Sequence, residues 1–213
     1  MSSDNVVKIR ERISRDELTV SQVDSNPVRL FSHWMEQAVE ARVEEPTAMT
    51  LATASRDGVP SARMVLLKGF DESGFVFYTN YHSRKARELD SNPSAALVFF
   101  WKEVDRQVRI EGHIEKVSPG ESDEYFDSRP KDSQVSAIIS PQSSPVPDRE
   151  YLEKLRDDYL EKHSGKNKRP DYWGGYRLIP VMIEFWQKRP GRLHDRVRYM
   201  KSADSWAVEM LAP

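Results

Sequence analysis

The stretch "RQVRIEGHI" (residues 106–114) has a period of two: Val108, Ile110 and Ile114 fall on one side, Gln107, Arg109, Glu111 and His113 on the other. Successive side chains of an extended chain point to opposite faces, so this reads as a strand with one core face and one polar face. Upstream, "TAMTLATAS", "SARMVLLK", "FVFYTN" and "AALVFFW" are short runs rich in Val, Leu, Phe and Thr, divided by the turn signals "RDG", "DESG" and "NP", with "KEVD" before residue 106. Downstream, "YRLIPVMIEFWQK", "RVRYMK" and "SWAVEML" return to the same pattern. Within "RMVLLK" (63–68), Val65 and Leu67 point one way, Met64 and Leu66 the other. A strand apolar on both faces needs cover on both, from the chain itself or from a second subunit.

Helical signals sit around and between these strands. In "NPVRLFSHWMEQAVEARV", Asn26 can cap a helix and Pro27 suits its first turn; Phe31, Trp34, Met35, Ala38 and Val39 recur at helical spacing and predict one buried face. Ser83 can cap a short helix in "SRKARELDSNP", ended by Pro93, and "ESDEYFDSR" and "DREYLEKLRDDYLEKH" read as helices flanking "KDSQVSAIISPQSSPVP". "SGKNKRPDYWGG" reads as a loop. Residues 1–25 are polar and mixed in charge, a flexible arm or a loosely docked helix that could close over an active site; residues 26–213 show no linker and read as one domain. The expectation is a mainly β protein with added helices, the strands forming a barrel.

Bulk composition removes several function classes. A net charge of −2 argues against nucleic-acid or anionic-membrane binding, though not against local basic pockets. The chain has no cysteine, which removes thiolate chemistry and cysteine metal sites and fits a reducing, cytoplasmic setting. The longest apolar run, "AALVFFW", is too short for a membrane span. The five histidines show no paired metal spacing, and no glycine-rich phosphate loop or nucleophile elbow is present. What remains is clustered cations: Arg63 and Lys68; Arg84 and Lys85 at a helix start; Arg129 and Lys131 near Ser133; and Arg189, Arg192, Arg196 and Arg198 around His194 in "RPGRLHDRVRY". Two cations at a helix N-terminus oppose the helix dipole, and an anion such as phosphate would resolve the conflict. On strand alternation, Arg192, His194, Arg196 and Arg198 would share one face. For a lone "RK" a solvated pair of surface charges is the better reading, and with the arginine-rich stretch included, composition alone divides evenly between a solvated charged edge and a ligand-binding set.

The motifs "EPTAM", "ARMVLLKGFDESGFVFYTNYHSRKARELDSNP", "AALVFFW", "RQVRIEGHIEKVS", "YFDSRPKDSQ", "SPQSS", "WGGYRLIP", "IEFWQ", "RLHDR" and the terminal "LAP", in this order from Glu45 to Pro213, resemble the pyridoxamine 5'-phosphate oxidase family. The resemblance implies an FMN-binding split β-barrel, a homodimer with FMN at the subunit interface, and oxidation of pyridoxine or pyridoxamine 5'-phosphate to pyridoxal 5'-phosphate. Molecular oxygen would take the electrons and give hydrogen peroxide. It implies flavin contacts from Arg63, Met64, Val65, Leu66, Tyr78, Thr79, Arg84, Lys85, Gln107, Gln142, Ser143, Trp186 and Arg196, with Arg84 and Lys85 on the flavin phosphate. Lys68, Tyr125, Arg129 and Ser133 would hold the substrate phosphate, and Arg192, Leu193 and His194 its pyridine ring, with Arg192 and His194 as the catalytic pair.

Arginine suits such sites because its planar donor fork keeps its charge. The flavin would carry the redox chemistry, taking a hydride from the substrate C4' carbon at N5. Arg192 is a poor general base because a guanidinium pKa exceeds ~12, so His194 is the expected proton acceptor. Arg189 and Arg198 read as surface charges, Asp195 as a partner of neighbouring arginines, and Trp34 and Trp101 as packing. Four positions depart from the family pattern: Gly191 where asparagine is commoner, and Ala86, Ser136 and Lys188 where glycine is usual. A flavin-binding protein of the same fold without oxidase activity, or a carrier of pyridoxal phosphate, is the competing reading.

Overall fold

The computed structural model describes residues 3–213. Helix α1 (Ser3–Arg15) and helix α2 (Pro27–Glu40) precede strands β1 (Ala48–Ala54), β2 (Pro60–Leu66), β3 (Gly69–Asp71) and β4 (Gly74–Asn80). Helix α3 (Arg84–Ser91), strands β5 (Ser94–Trp101) and β6 (Arg106–Lys116), and helices α4 (Pro119–Ser128), α5 (Lys131–Ile139) and α6 (Arg149–Lys162) follow. Strands β7 (Trp173–Gln187), β8 (Asp195–Ser202) and β9 (Ser205–Met210) complete the chain. The expected class, mainly β with added helices, is the one observed.

All the pairings are antiparallel, in the order β2-β1-β5-β6-β7-β4-β3, with β8 paired to β7 and β9 paired to β8. Strand β7 organises the sheet. Its first half, Trp173–Leu178, pairs with β4; its second half, Met182–Gln187, pairs with β8; β6 runs beside both. The sheet therefore divides near Ile179–Val181, where the β6–β7 register slips between Glu111 and Gly112. Only glycine fits that slip, because a Cβ on Gly112 would lie 2.0 Å from the carbonyl oxygen of Ile179. The core face of "RQVRIEGHI" is as expected: Val108 and Ile110 are fully buried and Ile114 packs against the core.

Helix α2 closes one side. The Asn26 side chain accepts from the Val28 N–H, and Pro27 opens the helix. Phe31, Trp34 and Ala38 enter the core, Phe31 meeting Phe70, Phe75 and Phe99 edge to face. The expected helix face is rotated at its end: Val39 is 58% exposed and Gln37 is buried in its stead. Gln37 accepts from Arg106, a buried cation that also reaches Gln187 (2.6 Å) and lies 4.1 Å from the Trp34 ring centroid. Desolvation lowers the Arg106 pKa to about 10. Its guanidinium also approaches the Ile13 carbonyl and Asp16, tying α1 to the sheet. Of the two forms expected for the leading segment, the described residues take the helical one, with Ile13 and Leu18 buried; residues 1–2 lie outside the described residues. Trp34 and Trp101 are packing residues.

Two expectations need correction. "KDSQVSAIISPQSSPVP" contains a helix, α5, that pattern alone did not give. Arg192 and His194 are not on a strand with Arg196 and Arg198: β8 begins at Asp195, and Pro190–Arg192 form a single 3-10 turn.

Candidate active site

The expected residues gather at two ends of β7. The first cluster surrounds the β4–α3 junction. Ser83 caps α3 by accepting from the Ala86 N–H, which places Arg84 and Lys85 in its first turn. Lys85 Nζ is 3.2 Å from Thr79 Oγ1 and 3.4 Å from Gln142 Oε1. Thr79 in turn donates to Gln142 (2.9 Å), and Ser143 follows with φ 71°. Burial, with Arg63 nearby, lowers the Lys85 pKa. Arg63, on β2, donates to Thr53 (2.6 Å), Ser61 and Glu88 (3.1 Å), and Arg84 donates to the other Glu88 oxygen (2.8 Å). Sequence reasoning missed Glu88. It sits four residues after Arg84, on the same helix face, and is the buried carboxylate between two of the cations. Burial favours its neutral form, but hydrogen bonds from Thr53, Arg84 and Arg63 outweigh that and hold its pKa below the usual value. Three cations around one carboxylate leave an excess of two positive charges, a match for a phosphate dianion.

Beside this cluster lies a cavity of about 270 Å³ lined by Tyr78, Thr79, Arg129, Ser140, Gln142 and Trp173 among others. Tyr78 stacks on Tyr125 (centroids 3.9 Å apart), and Arg129 covers the Trp173 ring at 4.7 Å. Burial, followed by the nearby Glu121, pushes the Tyr78 phenol up to about 12. Arg129 Nη1 is buried with no hydrogen-bond partner. A buried unpaired guanidinium nitrogen is costly, and an anion would satisfy it. The start of α5 adds donors: Pro130 supplies no capping side chain, and Ser133 lies in the first turn. Lys68 is exposed just beyond β2, its backbone N–H bonded to Val76 on β4, two residues before Tyr78.

The second cluster occupies the far end of β7. Gln107 on β6, Trp186 on β7 and Arg196 on β8 are in direct register and share one sheet face. Arg196 donates to the buried Glu184 (2.9 Å) and to the Ala212 carbonyl (2.7 Å), which pins the "LAP" terminus. The His194 ring lies 4.7 Å from Trp186. Arg192 and Leu193 project from the adjoining turn, Leu193 being 74% exposed. Gly191 and Arg192 both have positive φ, 68° and 64°; the left-handed conformation costs a non-glycine residue roughly 1–2 kcal/mol, so Arg192 carries local strain. Ser136 and Lys188 do not have positive φ, so the missing glycines leave no strain there. Arg189 is not a free surface charge: it holds Asp195 (2.6 Å) and the carbonyls of Ser14, in the last turn of α1, and Asp16, just after it. Arg198 pairs with Glu209.

Gly174 and Trp186 are twelve residues apart on β7, which spans up to about 40 Å of extended chain. Among the described residues no hydrogen bond and no ring contact joins the two clusters. Between them, the sheet face that bears Gln107 and Trp186 exposes Met64 (63%), Leu66, Phe100 (59%) and Met200, while Val65 is half-buried. The outer side of "RMVLLK" is thus uncovered by the chain itself.

Residues 35–158 match the family described as pyridoxamine 5'-phosphate oxidase, and residues 173–213 match the pyridoxine 5'-phosphate oxidase C-terminal dimerisation region. The chain is 51% identical over 210 residues to the pyridoxine/pyridoxamine 5'-phosphate oxidase of Trichormus variabilis, covering 98% of each. It is 50% identical to that of Ralstonia pickettii, covering 98% of this chain and 99% of the relative. Among solved structures, PhzG from Burkholderia lata, in complex with tetrahydrophenazine-1-carboxylic acid, has 34% identity and a TM-score of 0.88, covering 94% of this chain and all of that one. A pyridoxamine 5'-phosphate oxidase-related, FMN-binding protein from Nostoc punctiforme, at 17% identity and TM-score 0.72, shares the fold, covering 90% of this chain and all of that one. The divided antiparallel sheet is that of the FMN-binding split barrels, and the chain belongs to the pyridoxamine 5'-phosphate oxidase family of oxidoreductases.

Proposed function

We propose that this protein oxidises pyridoxine 5'-phosphate and pyridoxamine 5'-phosphate to pyridoxal 5'-phosphate in the cytoplasm, with FMN as cofactor and molecular oxygen as electron acceptor. The observation that carries the substrate class is Arg129: a buried, unpartnered guanidinium nitrogen beside an aromatic stack and an uncapped helix start calls for an anion next to a flat ring. A phosphorylated pyridine has both. FMN fits the adjoining cluster, where the excess charge of Arg63, Arg84 and Lys85 over Glu88 suits its phosphate. When bound, FMN supplies the two-electron acceptor, which oxygen then restores with release of hydrogen peroxide.

The chain's own residues bind and orient. Lys68, Tyr125, Arg129 and Ser133 hold the substrate phosphate. Tyr78, Thr79, Gln142 and Ser143 line the cofactor side, and Met64, Val65 and Leu66 supply an apolar wall. Gln107, Trp186 and Arg196 complete the flavin site, and Arg192, Leu193 and His194 enclose the pyridine ring, from the second subunit of a homodimer. The separation along β7 and the uncovered apolar face support that division. Holding the reacting carbon against the cofactor turns an encounter into an intramolecular step.

An anaerobic titration of FMN-loaded protein with pyridoxine 5'-phosphate tests the reading. Bleaching of the flavin absorbance and recovery on admitting oxygen are expected. A flavin that neither B6 phosphate bleaches, but that a reduced phenazine precursor does, would move the assignment to chemistry on the ligand type bound by PhzG.

A further inference from the structure

The backbone N–H of Arg189 donates to Nδ1 of His194 at 3.1 Å. An N–H donor needs a lone pair at its acceptor, so in the neutral ring the hydrogen is on Nε2. The donor is held firmly. The Arg189 side chain is anchored on Asp195 (2.6 Å) and on the Ser14 and Asp16 carbonyls, and Asp195 also accepts from the Leu18 N–H (3.3 Å). The segment following α1 and the 189–195 turn are thus one clamped unit, with the imidazole fixed between Arg189 and the Trp186 ring. Among the described residues Nε2 has no hydrogen-bond partner, which leaves its N–H available to a ligand.

We infer that His194 meets the substrate as a hydrogen-bond donor through Nε2–H, its tautomer set by the Arg189 backbone, and not as the acceptor of the substrate's proton. This rests on the oxidase reading for the substrate but not for the tautomer. With Nδ1 engaged and Nε2 protonated, the neutral ring has no free lone pair. The proton leaving the C4' hydroxyl or amine then passes to water, to which the turn is open at Arg192 and Leu193. His194 orients the C4' substituent or the ring oxygen beside it.

Two measurements test this. In FMN-loaded protein with 15N-labelled histidine rings, the long-range proton–nitrogen spectrum reports the tautomer without turnover; the His194 signals are those absent from His194→Gln. The Nε2–H pattern is expected, and the Nδ1–H pattern overturns the inference. In turnover with pyridoxine 5'-phosphate, His194→Ala is expected to lower kcat about 100-fold, the size of loss that follows from a misplaced reacting group. His194→Gln, whose amide N–H reaches the Nε2 position, is expected to recover about tenfold of that. If Gln is no better than Ala, the donor role is wrong. Failure of the oxidase reading shows separately, as wild-type flavin that neither B6 phosphate bleaches.

Discussion

Arg129 was nameable from "YFDSRPKDSQ", but its decisive property, a sealed and unpaired Nη1, exists only once Trp173 arrives from more than forty residues downstream. Replacing it with Met keeps bulk and removes the donor. A hydrogen bond to a charged group is worth about 1.5–3 kcal/mol, so Arg129→Met should raise KM for pyridoxine 5'-phosphate roughly 10- to 150-fold. Flavin fluorescence should show FMN retained. Lys85 gives a pH prediction. Its pKa is lowered by burial and then by Arg63, so it loses its charge before an ordinary lysine would as pH rises. FMN affinity, measured by fluorescence quenching from neutral to alkaline pH, should weaken early in the wild type and stay level in Lys85→Arg. Glu88 works in the opposite sense. Its pKa is depressed in the fold, so its stabilising contribution is present above the unfolded pKa and is lost as pH falls through the lowered value. Acid unfolding of Glu88→Gln should lack the part of the pH dependence that the wild type shows there. The sequence displayed the cations and hid Glu88, because a carboxylate in "RKARELD" looks like any solvated helix charge until Arg63 crosses from β2.

At the scale of elements, legibility followed periodicity. Alternation in β6 and helical spacing in α2 were plain because each has one apolar face. Helix α5 was not: it buries Gln134 beside Val135, and Gln134 belongs inside only because its amide serves the Phe126 and Arg129 carbonyls. Val39 was misread for the same reason in reverse, since Gln37 takes the buried position to bind Arg106. Gly112 is the element-scale residue with the clearest consequence. A methyl group there meets the Ile179 carbonyl at 2.0 Å, so the β6–β7 slip must shift. Overpacking of this kind costs about 3 kcal/mol, which for a chain of this size lowers Tm by roughly 6–12 °C. Calorimetry of Gly112→Ala checks it; an unchanged Tm would mean that the slip accommodates a side chain.

For the molecule as a whole, the sequence yielded the family pattern and the residue types of the candidate site, but not how the fold divides them between two clusters. Read along the chain, Arg84 and Trp186 look like members of one constellation; only the pairing of β7 with β4 at one end and β8 at the other sets them far apart. That division has a genetic corollary in the proposed homodimer. A chain disabled at the α3 end, Lys85→Ala, and a chain disabled at the β8 end, Arg196→Ala, carry their lesions in different halves. Each alone spoils every site it forms. Co-expressed, they pair at random: half the dimers are mixed, and each of these holds one undamaged site, so about a quarter of the wild-type sites return. Recovery of activity from two inactive alleles would show that catalysis here is a property of the pair, and inheritance at this locus would then display interallelic complementation.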